Sequence, residues 1–262
     1  MMTQIRWLIL ILIAITGVFV VHNPTLSFLV FLLPITWALL HSFALFGKRH
    51  TLVIFAIIMA VSFAAEYIGV HGGWLFGPYF YNPSHEVNGF LWGGVPPLVT
   101  FSYISMGYSA YLVARIILGT PGKMKGAALV GVPLLAAMLM TLWDMSFDPI
   151  ASYVHKIYDW YEGGAYFGVP FRNFTGWFLE SAVFFGLITV YLQAVAKVKD
   201  FMKKPGRLFL GEAVFLMAAN AFGTISRQFH DPTAVQQSMA LIALFGMGVP
   251  IVIAAFRLLE KR

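Results

Sequence analysis

The chain alternates long apolar stretches with short segments that carry most of its charged residues. A helix needs about 20 apolar residues to cross the hydrocarbon core of a membrane. Eight stretches come near that length, and each predicts a membrane-spanning helix. They are residues 7–21, 26–46, 51–70, 98–118, 127–143, 177–196, 208–226 and 239–256. Because the first and the fifth are short, seven spans are the alternative.

The composition is that of a membrane protein over the whole chain. Of the 262 residues, 60% are hydrophobic and 11% are charged, whereas an ordinary soluble domain has about 25% charged residues. Nothing is left over for a soluble domain, so we predict an all-α fold, a single transmembrane domain over residues 1–262 built as a polytopic helix bundle. The first apolar run ends at Val20 and Val21 without a small-x-small cleavage site, and we interpret it as a retained helix.

The basic residues predict the orientation of this bundle, because Lys and Arg concentrate in cytoplasmic loops. Eight helices with both termini in the cytoplasm place every basic cluster on that side, whereas seven helices place one cluster outside. The clusters contain Arg6, Lys48, Arg49, Arg115, Lys123, Lys125, Lys197, Lys199, Lys203, Lys204, Arg207, Arg257, Lys261 and Arg262. This distribution over short loops accounts for the net charge of +6, and it does not indicate a nucleic-acid partner.

Acidic residues in apolar helices are the most informative feature, because a charged group in hydrocarbon is costly and is usually retained for a function. In the predicted topology Glu66, Asp144, Asp148 and Glu180 share the outer half of the membrane, and Glu212 lies near the other end of its helix. An aromatic belt with polar contacts between helices is the structural alternative. Belts need no carboxylates, so we predict a buried acid–base site.

Asp144 and Asp148 are the sharpest candidates within this site. They follow Trp143 and are four residues apart, which places both carboxyl groups on one face of a helix. Two close carboxyl groups in a partly dry site do not both ionise easily, so one can act as a general acid and the other as a base toward water. A helix end at Asp148 and Pro149 would explain Asp148 but not Asp144.

Other polar and aromatic residues are predicted in the same layer. Glu66 is a third catalytic candidate, and its structural alternative is an ion pair with Arg172. Arg172 itself is a charge partner for the acids or an interface anchor, and Asn173 is a hydrogen-bond donor or a holder of water. The candidates for contact with a substrate are Trp143, Tyr79, Tyr81, Arg172, Asn173, Trp177, Glu180 and Asn220.

Two outer loops resemble each other. Residues 72–77 and 163–168 both begin with Gly-Gly and end with Phe-Gly, and Gly-Val-Pro follows at 94–96 and 168–170. The third and fourth helices are therefore a candidate duplicate of the fifth and sixth, and such repeats often place a site at their interface. Ordinary turn chemistry, with Pro at helix starts, explains the same residues equally well.

Several other chemistries lack their sequence signals. The chain has no cysteine, which excludes thiol and iron–sulfur chemistry. Its seven histidines are scattered without a His-x-x-x-His spacing, so we predict no metal site. It contains no phosphate-binding loop and no dinucleotide fingerprint, and we predict no cofactor.

The chain resembles the carotenoid biosynthesis membrane proteins, a family that includes carotenoid end-group hydratases of bacteria and bisanhydrobacterioruberin hydratase of archaea. The resemblance covers roughly residues 55–195 and rests on four segments. They are Glu66-Tyr67-Ile68-Gly69, Gly77-Pro78-Tyr79-Phe80-Tyr81, Trp143-Asp144 with Asp148-Pro149, and residues 166–177 from Tyr166 to Trp177. It implies an integral protein of a prokaryotic cytoplasmic membrane, and the topology places the site in its outer half.

The resemblance also implies a reaction, the addition of water to the terminal isopropylidene double bond of an acyclic carotenoid. Protonation gives a tertiary cation that water captures, which needs a carboxylic acid, a base and aromatic walls but no redox cofactor. We assign the proton transfer to Asp144 or Asp148 and the positioning of water to the other aspartate or to Glu66. The predicted walls are Trp143, Tyr79, Tyr81 and Trp177.

Three other functions stay open from the sequence. A non-catalytic carrier of carotenoid or lipid, or an assembly partner of other carotenoid-pathway enzymes, would bind a lipophilic isoprenoid among membrane lipids without changing its mass. A cofactor-free isoprenoid isomerase or cyclase would use the same protonation step. A transporter would move protons on the intramembrane acids, although transporter sites usually lie near the midplane of the membrane.

Overall fold

Long helices make up most of the structure, a computed structural model that describes residues 2–19, 28–120, 124–195 and 206–260. The α-helices of these residues are α1 (Met2–Phe19), α2 (Leu29–Phe46), α3 (Lys48–Gly72), α4 (Pro97–Ile117), α5 (Ala128–Asp148), α6 (Phe171–Ala194), α7 (Arg207–His230), α8 (Ala234–Leu241) and α9 (Gly248–Leu259). The π-helical segment Pro149–Val154 extends α5, and a second one, Ile242–Met247, joins α8 to α9. The predicted all-α helix bundle is confirmed.

Each predicted span coincides with a long helix of the structure. Within the described residues, seven helices are long and apolar enough to cross a membrane: Met2–Phe19, Leu29–Phe46, Lys48–Gly72, Ala128–Val154, Phe171–Ala194, Arg207–His230 and Ala234–Leu259. The eighth, α4, is less apolar, but its 21 residues measure about 31 Å at 1.5 Å per residue. The sequence made the first and fifth spans doubtful because they are short. In the structure the doubtful span is instead the fourth, because of its low hydropathy.

The lower hydropathy of α4 follows from its central position. Every residue from Tyr103 to Ile116 is buried, and the helix packs against α2, α3, α5, α7 and α9. A helix that is covered on all sides by other helices does not need an apolar surface toward lipid, so it tolerates serine and tyrosine. The structure is thus an integral membrane bundle wrapped around α4.

Some sequence predictions fall outside the described residues. These are the ends of the predicted spans at 20–21, 26–27 and 196, and the basic residues Lys123, Lys197, Lys199, Lys203, Lys204, Lys261 and Arg262. Among the described basic residues, Lys48 begins α3, Arg115 lies in the last turn of α4 and Arg207 begins α7. The cytoplasmic location of both termini stays a prediction.

Two helical hairpins share one construction. The first runs from α3 through strand β1 (Tyr79–Tyr81) to α4, and the second runs from α5 through strand β2 (Tyr158–Trp160) to α6. The two strands pair in antiparallel fashion, with Phe80 opposite Asp159. In each hairpin an isolated β-bridge then precedes a proline at the start of the next helix. The first bridge pairs Trp92 with Val95 ahead of Pro96. The second pairs Tyr166 with Val169 ahead of Pro170.

This shared construction is consistent with a repeat, but the two Gly-Gly loops that suggested it are not equivalent, because residues 72–77 precede β1 and residues 163–168 follow β2. Tyr103 and Trp177 follow the two bridges by the same number of residues, and their rings stack with centroids 4.5 Å apart and planes 5° apart. Equivalent positions of the two hairpins therefore meet across the bundle. The interface between the hairpins is the place where a repeat of this kind is expected to hold a site.

Glu212 has a structural environment. Arg6 donates from Nε and Nη2 to the two carboxylate oxygens at 2.8 and 3.0 Å, and Trp37 Nε1 donates to Glu212 at 3.1 Å. All three side chains are buried. A buried charge is tolerated when it is paired and its remaining hydrogen-bonding capacity is used. The cluster therefore ties α1 and α2 to α7.

We expect Glu212→Gln to destabilise the protein, because it leaves Arg6 buried without a counter-charge. Breaking one side of a buried ion pair costs roughly 3–5 kcal/mol, so the thermal midpoint of detergent-solubilised protein should fall clearly. The double variant Arg6→Met/Glu212→Leu should regain much of this loss. Glu260→Gln is the matched control, since Glu260 pairs with Arg257 at the surface and exposed pairs contribute little. Equal midpoints for Glu212→Gln and Glu260→Gln would contradict the assignment.

Candidate active site

Three of the four acids predicted to share the outer half of the membrane gather at the interface between the two hairpins. Glu66 and Asp148 line a cavity of about 60 Å³, and Asp144 is joined to Asp148 through Asn173. A volume of this size has room for a few water molecules. The sequence-predicted residues that line it are Glu66, Tyr79, Tyr81, Trp143, Asp148, Asn173 and Trp177.

Glu66 lies on one side of the cavity and accepts hydrogen bonds from three phenols. Tyr81 donates to Oε2 at 2.8 Å, Tyr103 donates to Oε1 at 2.7 Å, and Tyr79 also donates to Oε2. Glu66 is buried, so these donors replace the water that a carboxylate would otherwise bind. The predicted alternative, an ion pair of Glu66 with Arg172, does not form.

The local sequence explains why two of these phenols converge. Side chains alternate between the two faces of a strand, so Tyr79 and Tyr81 of β1 point to the same side, and both are buried while Phe80 is exposed. Gly69 lies one turn after Glu66, and a Cβ atom there would come within 2.8 Å of the Tyr79 ring. The absence of a side chain at Gly69 therefore lets Tyr79 reach Glu66.

The tyrosines of the two strands remain hydrogen-bond donors. Burial raises the pKa of Tyr79 and the pKa of Tyr81 well above the usual phenol value, and the nearby Glu66 carboxylate adds to both increases. Burial likewise raises the pKa of Tyr158, with a further contribution from Asp148. Each of these hydroxyl groups therefore keeps its proton at physiological pH.

Asp144 and Asp148 lie on the other side of the cavity as neighbours on one face of α5. Asn173 Nδ2 donates to Asp144 Oδ2 at 3.1 Å and to Asp148 Oδ2 at 2.6 Å. Tyr158 donates to Asp148 Oδ1, whereas Asp144 Oδ1 has no hydrogen-bond partner in the described part of the chain. One amide group thus bridges two buried carboxyl groups.

The helix does not stop at Asp148. It continues as the π-helical segment Pro149–Val154, in which Ser152 Oγ donates to the Asp148 carbonyl at 2.7 Å. Asp148 therefore marks the change from α-helix to π-helix. Ending the α-helix does not account fully for Asp148, because its carboxyl group also accepts hydrogen bonds from Asn173 and Tyr158.

Aromatic rings line the cavity that the two carboxyl clusters share. Trp177 stacks on Tyr103 and meets Trp143 edge to face, with ring centroids 5.9 Å apart. All three rings are buried and line the cavity. The negative faces of such rings stabilise a nearby cation.

Three predicted residues lie away from this cavity. Arg172 is exposed and forms no ion pair with any acid of the described residues. Glu180 is buried, but it does not line the cavity, and both its carboxyl oxygens lack partners within the described ranges. Asn220 donates to the Leu216 carbonyl at 3.0 Å and lines an adjoining cavity of about 80 Å³, which shares Trp143 and Phe147 with the first.

Two contributors to the site were not predicted from the sequence. Tyr103 donates to Glu66, and Tyr158 donates to Asp148. Comparison of the two hairpins could have indicated both residues. Tyr103 is equivalent to Trp177, and Tyr158 is the first residue of β2 as Tyr79 is the first residue of β1. Across residues 2–19, 28–120, 124–195 and 206–260, no group of three or more His, Asp or Glu side chains is arranged to hold a metal ion.

Comparisons with known proteins agree with the resemblance of the motifs. Residues 26–245 match the family model described as carotenoid biosynthesis protein. Over 143 residues the chain is 31% identical to bisanhydrobacterioruberin hydratase of Haloarcula japonica. That match covers 54% of this chain and 45% of the relative, so it spans less than half of the relative's length. No solved structure is significantly similar. Since the family model covers most of the chain, the chain belongs to the carotenoid biosynthesis protein family.

Proposed function

We propose that the protein is a carotenoid hydratase that adds water to the terminal isopropylidene double bond of an acyclic carotenoid. The observation that carries the proposal is the pair of buried carboxyl groups bridged by Asn173, opposite Glu66 and beside a wall of aromatic rings. The relative from Haloarcula japonica is named as a hydratase of a carotenoid, which supports the same reaction class. The substrate end group would enter from the outer leaflet of the cytoplasmic membrane.

The first step is protonation of the double bond by the aspartate pair. Asp144 and Asp148 are buried and accept hydrogen bonds from the same amide group. Two carboxyl groups this close do not both ionise easily, so the pair keeps a shared proton. Asp148 lines the cavity and Asp144 lies behind it, so the proton is delivered through Asp148. The π electrons of the double bond take the proton at the less substituted carbon, and the more substituted carbon becomes a tertiary cation.

The second step is capture of the cation by water. Glu66 acts as the base from the opposite side of the cavity, where three phenol groups donate to its carboxyl oxygens and hold the side chain in place. It positions the water, whose oxygen bonds to the cationic carbon and whose proton passes to Glu66. Return of this proton to the aspartate pair restores the starting state. The sum is the addition of one water molecule without any redox change.

Aromatic rings stabilise the intermediate between these steps. Tyr103, Trp143 and Trp177 face the cavity, and the attraction of a desolvated cation to an aromatic face is worth about 2 kcal/mol or more. Asn173 holds the two aspartate side chains next to each other by donating a hydrogen bond to each. No step requires a metal, a nucleotide or a redox group.

The activity is tested by expressing the full chain in a lycopene-producing bacterium and analysing the extracted pigments by mass spectrometry. We expect a new pigment heavier by the mass of one water, or of two if both ends react. A product with altered retention and unchanged mass would contradict hydration and show isomerase or cyclase activity. Unchanged pigment that co-purifies with the protein would instead favour the carrier.

We expect Asp148→Asn and Asp144→Asn to lower the hydration rate by about 100-fold or more, the usual contribution of a general acid. Each substitution removes the shared proton but keeps the size of the side chain. Asp159→Asn is the matched control, because Asp159 lies in β2 and is 43% exposed. Pigment conversion is measured at equal protein levels. Full activity of a folded Asp148→Asn variant would rule out the proposed proton path.

We expect Tyr103→Phe to weaken catalysis by about 10-fold, because it removes one donor from Glu66 and leaves the ring that stacks on Trp177. A hydrogen bond to a charged group is worth roughly 1.5–3 kcal/mol, which sets this scale. Tyr161→Phe, at an exposed position, should leave conversion unchanged. A rate for Tyr103→Phe equal to that of Tyr161→Phe would remove Glu66 and its phenols from the mechanism.

A further inference from the structure

A larger cavity adjoins the proposed active site. Its volume is about 480 Å³, several times that of the carboxylate cavity. Phe31 and Phe147 line both spaces, so these two rings lie at the boundary. The wall is apolar toward Phe31 and Phe147, and Arg227 with His155 and Glu86 makes it polar elsewhere. The cavity is therefore amphipathic.

Arg227 is the unexplained group of this cavity. It lies in the last turn of α7, and its Nε atom is buried without a hydrogen-bond partner in the structure as described. The ion pairs of the described residues are Arg6 with Glu212, Lys156 with Asp159, and Arg257 with Glu260. Arg227 therefore has no counter-ion there. Its side chain is half-buried, and a cation that is partly removed from water is stabilised by an anionic partner.

The neighbours of Arg227 do not supply the missing negative charge. Glu86 lines the same cavity but is exposed, and Asp231 lines a smaller adjoining cavity of about 200 Å³ with Arg227. Neither is within ion-pair distance of the guanidinium group. The negative end of the α7 dipole favours a cation at this position, but it does not satisfy the buried N–H group. Gln236 Oε1 lines the smaller cavity and also lacks a partner in the described residues, but it carries no charge. An anion with hydrogen-bond acceptors would supply both the negative charge and the acceptor.

The shape of the cavity narrows the class of that anion. A guanidinium group binds phosphate oxygens with two parallel hydrogen bonds, while the apolar wall next to Val30, Phe31 and Phe147 suits a hydrocarbon chain. Burial lowers the pKa of His155, and the positive charge of Arg227 contributes in the same direction. His155 is therefore neutral at physiological pH and can donate one further hydrogen bond to the ligand.

We propose that this cavity binds a phosphate-bearing membrane lipid, whose headgroup pairs with Arg227 and whose chain lies against Phe31 and Phe147. The site is distinct from the carboxylate cavity and does not depend on the proposed hydration. A lipid phosphate and free inorganic phosphate share the same recognition by Arg227. Only the lipid uses the apolar part of the wall, and the experiment separates these two sources.

The test measures the thermal midpoint of the full chain in a neutral detergent with three additives. They are dioleoyl phosphatidylglycerol, dioleoylglycerol (the same chains without phosphate), and inorganic phosphate. A ligand at about 100 times its Kd should raise the midpoint by about 5 °C or more. We expect this rise with phosphatidylglycerol and not with dioleoylglycerol. An equal rise with inorganic phosphate alone would overturn the lipid and leave a free-phosphate site.

Variants separate this site from general lipid binding. Arg227→Gln should lose the rise caused by phosphatidylglycerol, whereas Arg172→Gln should keep it, because Arg172 is exposed and lines none of these cavities. If Arg227→Gln does not fold, Arg227→Lys keeps the positive charge and should retain part of the rise. Native mass spectrometry of the unmodified protein should then find one retained phosphatidylglycerol. An equal rise for Arg227→Gln and Arg172→Gln would overturn the proposal.

Discussion

Burying a carboxyl group away from water costs several kcal/mol unless other donors replace the water, and the bundle supplies such donors in two different ways at its two ends. At one end, Glu212 is paired with Arg6 and its charge is neutralised. At the other end, Glu66 receives neutral phenol donors, and Asp148 receives a phenol and an amide. A salt bridge fixes the protonation state of its acid. Neutral donors hold Glu66 and Asp148 in place without adding a positive charge, which is the property that the proposed proton transfer requires.

The pairing of β1 with β2 makes these neutral donors available. Three residues per strand are a small sheet, but the alternation of side chains places Tyr79 and Tyr81 on one side and Tyr158 with Trp160 on the partner strand. Tyr79 serves the carboxyl group of the first hairpin and Tyr158 that of the second. The two hairpins therefore contribute equivalent carboxyl–phenol pairs on opposite sides of one cavity. The asymmetry arises from Asp144, which adds a second carboxyl group on one side only.

The sequence predicted the helices and most of the carboxyl site, because both depend on strong local signals. Hydropathy located the spans, and a separation of four residues placed Asp144 beside Asp148. Depth within the bundle was harder to infer. Glu180 follows Asn173 by two helical turns, so it shares a face of α6 but lies about 10 Å further along the axis, and the cavity does not reach it. Arg172 differs from Asn173 by one position, which turns it to the exposed side.

Tyr103, Tyr158 and the role of Arg227 could not be inferred from local signals, since each depends on contacts between distant segments. Tyr103 is one of several tyrosines on α4, and only the packing of α4 against α3 brings it to Glu66. Strands as short as β2 carry no periodic pattern that a sequence can reveal. An arginine near the end of a predicted span is typical of a membrane interface, so only the structure shows that the Nε atom of Arg227 is buried without a partner in the described residues.

The small volume of the carboxylate cavity bears on the choice between hydration and isomerisation in the proposed mechanism. A tertiary cation either loses a neighbouring proton or is captured by a nucleophile, and both routes begin with the same acid. A site without water would favour loss of the proton from the cation. A site open to bulk water would solvate the carboxyl group and weaken its proton donation to the double bond. Room for a few water molecules beside Glu66 keeps a nucleophile within reach of the cation, while aromatic rings exclude bulk water. In the proposed mechanism, Glu66 and these rings would therefore select the hydrated product by controlling how much water reaches the cation.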